Sequence, residues 1–235
     1  MADIRTKEEL YTSFAEVGKV LSHGKRIELL DVLSQGERSV EVLSERIGTS
    51  ITTTSAHLQI MRRSGLVTSR RDGTHIYYSL AGFDVLELLE CFRSVARNRY
   101  GRVQFALDQY LGLAEERTFS YEELSLRMSQ GDLVVLDVRP PEEYAAGHIP
   151  GAISIPLERL PEEVEMAIVG RVSKESGFQN DGFACGDVEV VVYCRGAYCS
   201  FASEALKILK SHNLRAVRLS DGFTQWRLAG YGVEV

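Results

Sequence analysis

Apolar residues recur at helical spacing through the first 111 positions, whereas beyond about residue 117 they gather into short runs separated by helical segments. Thr6 with Glu9 makes a capping box for a helix that ends near Leu21, and a second helix spans about Lys25–Ser34 and stops at Gly36. Ser39 caps a short helix, Val40–Ile47, which Gly48 ends; Ser50 caps another, Ile51–Arg63, which Gly65 ends. Two short helices joined by Gly48-Thr49-Ser50 have the spacing of a helix-turn-helix.

Strand-like segments Leu66–Arg70 and Thr74–Leu80 lie around Asp72-Gly73, a hairpin-turn signal, so the first half is expected to be an α(+β) winged helix-turn-helix. A long helical stretch then runs from Phe83 to Leu111. Within it Leu89, Ala96, Val103 and Tyr110 recur every seven residues, with Leu86, Tyr100 and Leu107 beside them. That periodicity predicts a seam for a partner helix in a homodimer, the alternative being a face packed on its own domain; Gly101 weakens the helix locally.

The second half alternates strand and helix. Ser120 with Glu123 caps a helix to Gln130, and an apolar strand follows at Leu133–Val138. A short helix at Pro141–Ala146, a strand at Ala152–Ile155 and a helix near Leu160–Val169 come next. A strand at Val188–Tyr193, a helix at Ser200–His212 and a strand at Ala216–Leu219 complete the series. The run Val188-Glu189-Val190-Val191-Val192 suits a strand buried on both faces, which predicts an α/β domain with a parallel sheet. Ser173–Asp187 reads as a long polar loop. A linker at 113–118 divides a domain over 1–112 from one over 119–235, so the chain is expected to be multidomain.

Composition narrows the class. The chain has 235 residues, with 44% apolar and 26% charged, a soluble-type composition and length enough for two small domains. It has no apolar run of about 18 residues, so no membrane-spanning helix is expected. MADIRTKEEL carries acids and no apolar h-region, which argues against a secretory signal and for a cytoplasmic protein. Net charge is −6, yet residues 1–117 hold 16 basic and 16 acidic residues, and Arg62, Arg63, Arg70 and Arg71 cluster against Asp72 alone. Nucleic-acid binding needs such a local basic face, not a basic total. Four cysteines, Cys91, Cys185, Cys194 and Cys199, are too few and too uneven for a disulfide framework, but three fall within fifteen residues, which suggests chemistry.

The stretch LSHGKRIELLDVL…SVEVLSERIGTSITTTSAHLQIMRRSGLVTSRRDGTHIYYSL resembles the arsenical-resistance-repressor (ArsR) family of winged-helix regulators. The resemblance rests on Ser55, His57 and Leu58 in the second helix, the Gly65-Leu66-Val67 entry to the wing and the Tyr77-Tyr78 hairpin, and covers about residues 10–110. It implies a regulator of double-stranded operator DNA. With Ile51–Arg63 as recognition helix, Thr52, Thr53, Ser55, Ala56 and Gln59 are expected to face bases or phosphates, with Thr54, Leu58 and Met61 on the core side. Arg62, Arg70 and Arg71 are expected to hold phosphates; His57 is either a DNA contact or a packed histidine. Members that sense thiophilic metals use paired cysteines or Asp/His pairs, and this half offers only Cys91, which reads as a packed helix residue or an intersubunit thiol near the seam. No metal site and no cofactor are expected here.

The sharper constellation is VVVYCRGAYCSFASEALKIL. A buried strand runs into Cys194, a tight loop of Arg195, Gly196, Ala197, Tyr198 and Cys199 follows, and a helix begins near Ser200. Backbone N–H groups and the helix N-terminus converge there, so the Cys194 thiolate is expected to be stabilised, with Arg195 adding positive charge. This half, about 119–235, resembles the rhodanese family of sulfurtransferases. Leu136-Asp137-Val138-Arg139, Glu143, Gly147-His148-Ile149-Pro150-Gly151-Ala152, the Tyr193-Cys194-Arg195 loop and Asp221-Gly222-Phe223…Trp226…Gly230 carry the match. It implies that Cys194 accepts a sulfane sulfur from thiosulfate or a persulfide, with Asp137, Arg139 and His148 supporting the loop. Related phosphatases place an arginine six positions after the cysteine, where this chain has Ser200. Cys199 departs from the usual pattern and is read either as a resolving thiol or as a packed residue; Cys185 reads as passive or as a third thiol.

The expected whole is a DNA-binding transcriptional regulator, a repressor, that captures sulfane sulfur or another thiol-reactive signal at Cys194. One alternative is a sulfurtransferase enzyme of the thiosulfate/persulfide type that uses the winged helix only as tether or dimeriser. Another is a regulator that binds a soft metal or metalloid through Cys194 and Cys199.

Overall fold

The structure is a computed structural model that describes residues 4–111, 117–130, 133–164 and 189–235. The chain divides into two compact units, one up to Arg99 and one from Tyr100.

In the first unit α1 (Ile4–Leu21) and α2 (Gly24–Leu33) precede a two-residue strand β1 (Arg38–Ser39). Then come α3 (Val40–Arg46), α4 (Ile51–Arg63), β2 (Val67–Asp72), β3 (His75–Leu80) and α5 (Phe83–Arg99). Two caps are those the sequence predicts: the Ser39 hydroxyl accepts from Val42 N and that of Ser50 from Thr53 N. The Thr6–Glu9 box is not a cap, because α1 already runs through Thr6 from Ile4. Gly48 and Gly65 turn the chain out of α3 and α4 at φ +62° and +75°, a backbone that glycine adopts without steric cost. Leu29, Leu43, Leu58, Met61 and Leu89 meet in one core with Val20, Ile47 and Tyr78. Each fully buried aliphatic side chain contributes about 1.5–3 kcal/mol.

The wing is an antiparallel sheet in the order β1-β3-β2. Asp72 pairs with His75, so the turn is Gly73-Thr74, with Gly73 at φ +59°. The turn therefore sits one residue later than expected, because a two-residue loop takes its positive-φ glycine at the first loop position. The expected single helix from Phe83 to Leu111 is two helices. It breaks at Tyr100, and α6 (Gly101–Leu111) starts on the weak helix former Gly101. The seven-residue face also divides. Leu86 and Leu89 are buried, whereas Tyr100 and Tyr110 are exposed. Cys91 is exposed on α5 and not packed.

The second unit continues from α6 with β4 (Thr118–Phe119), α7 (Tyr121–Met128), β5 (Leu133–Asp137), α8 (Pro141–Ala145) and β6 (Ile153–Ser154). Residues 160–164 are helical, and then β7 (Glu189–Tyr193), α9 (Phe201–Ser211), β8 (Arg215–Leu219) and α10 (Gly222–Leu228) follow. Five parallel strands lie in the order β4-β8-β7-β5-β6, which puts β7 at the centre. Side chains alternate across it. Val190 and Val192 join Leu206 and Leu209 of α9 on one face, while Val191 and Tyr193 join Leu124 of α7 and Phe223 and Trp226 of α10 on the other. That two-sided burial is what the apolar run predicted. The Ser173–Asp187 segment, Cys185 and the end of the Leu160–Val169 helix lie outside the described residues.

Candidate functional site

On α4, Thr54, Leu58 and Met61 point into the core, and Thr52, Thr53 and Ala56 are exposed. Ser55, His57 and Gln59 are half-buried, so the outward face is narrower than expected. Gln59 Nε2 donates to the Tyr78 hydroxyl at 3.0 Å, which ties the helix to the wing. His57 packs against His23 with ring centroids 4.5 Å apart and the rings tilted by 50°, and its buried Nδ1 has no hydrogen-bond partner. Burial, with the positive potential of His23 and Arg26 behind it, holds the His57 imidazole below its ordinary pKa. Arg62 Nη1 lies 3.4 Å from Ser69 Oγ, and Arg71 Nε donates to the Gly73 carbonyl at 3.0 Å. Arg70 is clamped by both carboxylate oxygens of Glu37 at 2.6–3.0 Å, reaches Asp72 at 3.2 Å and lies over the Tyr77 ring. Glu37, 33 positions away, is a partner that sequence spacing gave no sign of.

The second constellation forms where β7 ends. Cys194 follows Tyr193 directly and is buried; its Sγ lies 3.5 Å from the Cys199 carbonyl oxygen and 3.8 Å from that of Gly196. The loop closes on itself through Cys199 N to Gly196 O (3.1 Å) and passes into α9 at Ser200. It rests on the start of α10, where Phe223 N donates to the Cys194 carbonyl and Thr224 N to that of Arg195, both at 2.9 Å. Gly222, at φ +71°, makes this approach possible: a Cβ there would stand 2.6 Å from Gly196 N.

The two loop thiols act on each other. Burial pushes the Cys194 thiol well up, and the Cys199 side chain adds to it, while the N–H groups of Ala202 and Gly196 oppose the rise. Cys199 moves the other way: the Cys194 side chain, the Arg195 charge and N–H groups of Phe201 and Arg195 hold it down against burial. The expectation of a stabilised Cys194 thiolate is therefore corrected in its site. Of the two, Cys199 is the better host for negative charge, because it is the more exposed and the Arg195 charge acts on it.

Arg195 does not point freely at the thiols. Its Nε and Nη2 bond Glu143 of α8 at 2.6–3.1 Å, and Glu143 is 1% exposed. Ala197 is buried, and Tyr198 and Ser200 are half-buried. Asp137 and Arg139 form a fully buried pair, Arg139 Nη2 meeting Asp137 Oδ2 at 2.6 Å and the Gly147 carbonyl at 2.8 Å. The Arg139 guanidinium covers the Phe223 ring at 4.1 Å, so it reaches the cysteine loop through Phe223. His148 stacks on Tyr144, contacts the Tyr144 carbonyl through Nδ1 at 3.0 Å and exchanges backbone bonds with Glu234. Glu143 and Gly222 are the site residues that sequence reading noted only as parts of a motif. Among the described residues no group of three His, Cys, Asp or Glu is placed to hold a metal ion, and no helix is long and apolar enough to cross a membrane.

Fold and loop together define a winged-helix regulator joined to a rhodanese-like domain. Residues 21–70 match a helix-turn-helix domain family and residues 120–229 the rhodanese-like domain family. The HTH-type transcriptional regulator Rv0324 of Mycobacterium tuberculosis is 40% identical over 228 residues, which cover 97% of this chain and 93% of that one. The uncharacterized HTH-type transcriptional regulator Rv0081 of the same organism is 43% identical over 37% of this chain and 78% of its own. Among solved structures, the homodimeric winged helix-turn-helix DNA-binding domain Mb0332 of Mycobacterium bovis is 41% identical (43% of this chain, 93% of that one, TM-score 0.40). The chain belongs to the family of the HTH-type transcriptional regulator Rv0324, and in it an ArsR-type winged helix is followed by a rhodanese-like domain.

Proposed function

We propose that the chain is a homodimeric, cytoplasmic repressor of operator DNA whose rhodanese-like domain captures sulfane sulfur at Cys194. In this reading residues 1–112 bind DNA and dimerise, 113–118 link, and 119–235 sense. Thr52, Thr53 and Ala56 on the exposed face of α4, with Ser55 and Gln59 at its margin, read the operator. Arg62 and Arg71 hold phosphates, Arg70 joins them by exchanging Glu37 for a phosphate oxygen, and His57 supports the helix from behind. Exposed Leu10, Tyr11 and Phe14 of α1 and Val95 of α5 supply apolar surface that a second copy would cover, and the homodimeric state of the Mb0332 domain favours the same assembly.

The observation that carries the sensing role is the pairing of Cys194 and Cys199 in one loop, each shifting the other's titration. Cys194 passes its proton to Cys199, and the resulting Cys194 thiolate attacks a donor's sulfane sulfur and becomes a persulfide as the donor's leaving group departs. Cys199 then attacks Cys194 Sγ; the Cys194–Cys199 bond forms, the bond to the outer sulfur breaks, and sulfide leaves with the Cys199 proton. Sulfane sulfur is the oxidant and the two thiols are oxidised to a disulfide.

Intact-mass analysis after treatment with a persulfide donor tests this. Wild type should lose two hydrogens, whereas Cys199→Ser should gain one sulfur on Cys194. A Cys199→Ser chain that gains no sulfur contradicts the reading. Repeated turnover without any effect on DNA would favour the sulfurtransferase alternative. Tight arsenite binding that needs both thiols would favour the metalloid one.

A further inference from the structure

We propose that the Glu143–Arg195 pair makes the Cys194 site selective for sulfane sulfur carried on a thiol, as a hydropersulfide or polysulfide, over the thiosulfate dianion. The proposal rests on the reading of Cys194 as a sulfur acceptor. Charge separates the two donors. With a hydropersulfide R–S–S–H, the Cys194 thiolate bonds the terminal sulfur, the S–S bond breaks toward the inner sulfur, and R–S⁻ leaves while Cys194 carries S–S–H. With thiosulfate the same attack expels sulfite. The incoming ion then brings two negative charges beside a thiolate, and the departing group keeps both, so positive charge is needed around the loop beyond the N–H groups that serve the thiols themselves.

The loop's N–H groups, those of Ala202, Gly196, Phe201 and Arg195, already act on the two thiols, and it presents little net positive charge beyond them. Arg195 is the cation that acts on the thiol pair, and its guanidinium donates three hydrogen bonds to the two oxygens of the buried Glu143 carboxylate. The Cys194 sulfur faces the carbonyl oxygens of Gly196 and Cys199, which repel an anion and accept from an S–H. Gly196, Ala197 and Tyr198 bring no charge. Because Cys194 is 2% exposed, water screens little of this. Glu143 is thus a specificity residue: it lies 52 positions from Arg195 in sequence and sets how much positive charge the loop presents.

The test compares second-order rates of sulfur addition to Cys194 in the full chain, by intact mass at fixed ionic strength, with glutathione persulfide and with thiosulfate. The Cys199→Ser background lets the persulfide accumulate. Glutathione persulfide should react about a hundredfold faster than thiosulfate. Glu143→Gln, which releases the Arg195 charge, should raise the thiosulfate rate at least about tenfold and the persulfide rate by much less. The double variant Glu143→Gln/Arg195→Gln, neutral like the native pair, should return to the parent preference, and that separates charge from damage to the loop. Equal rates for the two donors in the parent, an unchanged ratio in Glu143→Gln, or a double variant that keeps the raised thiosulfate rate would each overturn the selectivity proposal. If neither donor adds sulfur to Cys194, the sulfur-acceptor reading itself fails.

Discussion

Replacing Gly222 by alanine perturbs the seat of the cysteine loop. At φ +71° the residue lies in the left-handed region, and an added Cβ would stand 2.6 Å from Gly196 N and 2.7 Å from both the Cys194 carbonyl oxygen and Gly196 Cα. All three are backbone atoms, so no side chain can swing aside, and the loop or the start of α10 must move. The left-handed backbone costs a non-glycine residue about 1–2 kcal/mol, and forcing a methyl into packed backbone about 1–3 kcal/mol. A loss of about 2–5 kcal/mol is expected, a large part of the roughly 5–15 kcal/mol that holds a domain folded. Moving α10 also strains the Phe223 and Thr224 N–H bonds to the loop carbonyls, so Cys194 should become more open to iodoacetamide. Urea unfolding followed by tryptophan fluorescence isolates this unit, because Trp226 is the sole tryptophan and is buried there. A variant within about 0.5 kcal/mol of wild type, with unchanged alkylation, would refute the packing argument.

Asp137→Ala leaves Arg139 fully buried without its carboxylate partner, and should cost about 3–5 kcal/mol in the same urea experiment; a change below about 1 kcal/mol would mean that water or another acceptor takes its place. The thiol pair gives a pH signature. Cys199 is held below the ordinary thiol range and Cys194 above it, so alkylation of wild type should rise through a midpoint below that range, and in Cys199→Ser the midpoint should move upward. His57 titrates below the ordinary histidine value, so the folded unit binds its proton less readily than the unfolded chain does. Its contribution to stability is whole above about pH 6.5 and declines as pH falls toward the folded pKa. An NMR titration of the His57 ring with a midpoint at or above about 6.5 would contradict this.

Much of the fold was legible because caps and periodicity agree locally. Ser50, the Thr54–Leu58–Met61 stripe and Gly65 bound α4 correctly, and the valine run marked β7 as a strand buried on both faces. What failed to show were features without a local signal. Strands β1 and β4 are two residues each, too short for any periodic pattern, and are held by partners 38 or more positions away. The break at Tyr100 did have a local signal in Gly101, but the heptad pattern on either side reads through it. At the site, the positions of the cysteines were legible but their electrostatics were not. Local sequence predicted N–H groups around Cys194, yet burial under two packed faces sets its titration, and that depends on the whole sheet. Arg195 and Arg70 both looked like available cations; each is bound by a glutamate from a distant segment, Glu143 and Glu37.

The central claim, that sulfur chemistry at Cys194 governs DNA binding, is tested most directly by affinity for DNA from the protein's own upstream region before and after a persulfide donor. Wild type and Cys194→Ser are compared at one fixed salt concentration, because phosphate contacts make affinity steeply salt-dependent. The account predicts that the donor changes wild-type affinity at least about tenfold, about 1.4 kcal/mol, and leaves Cys194→Ser unchanged. Equal affinities for both proteins with and without donor would contradict it, and would make the winged helix and the cysteine loop two separate activities on one chain.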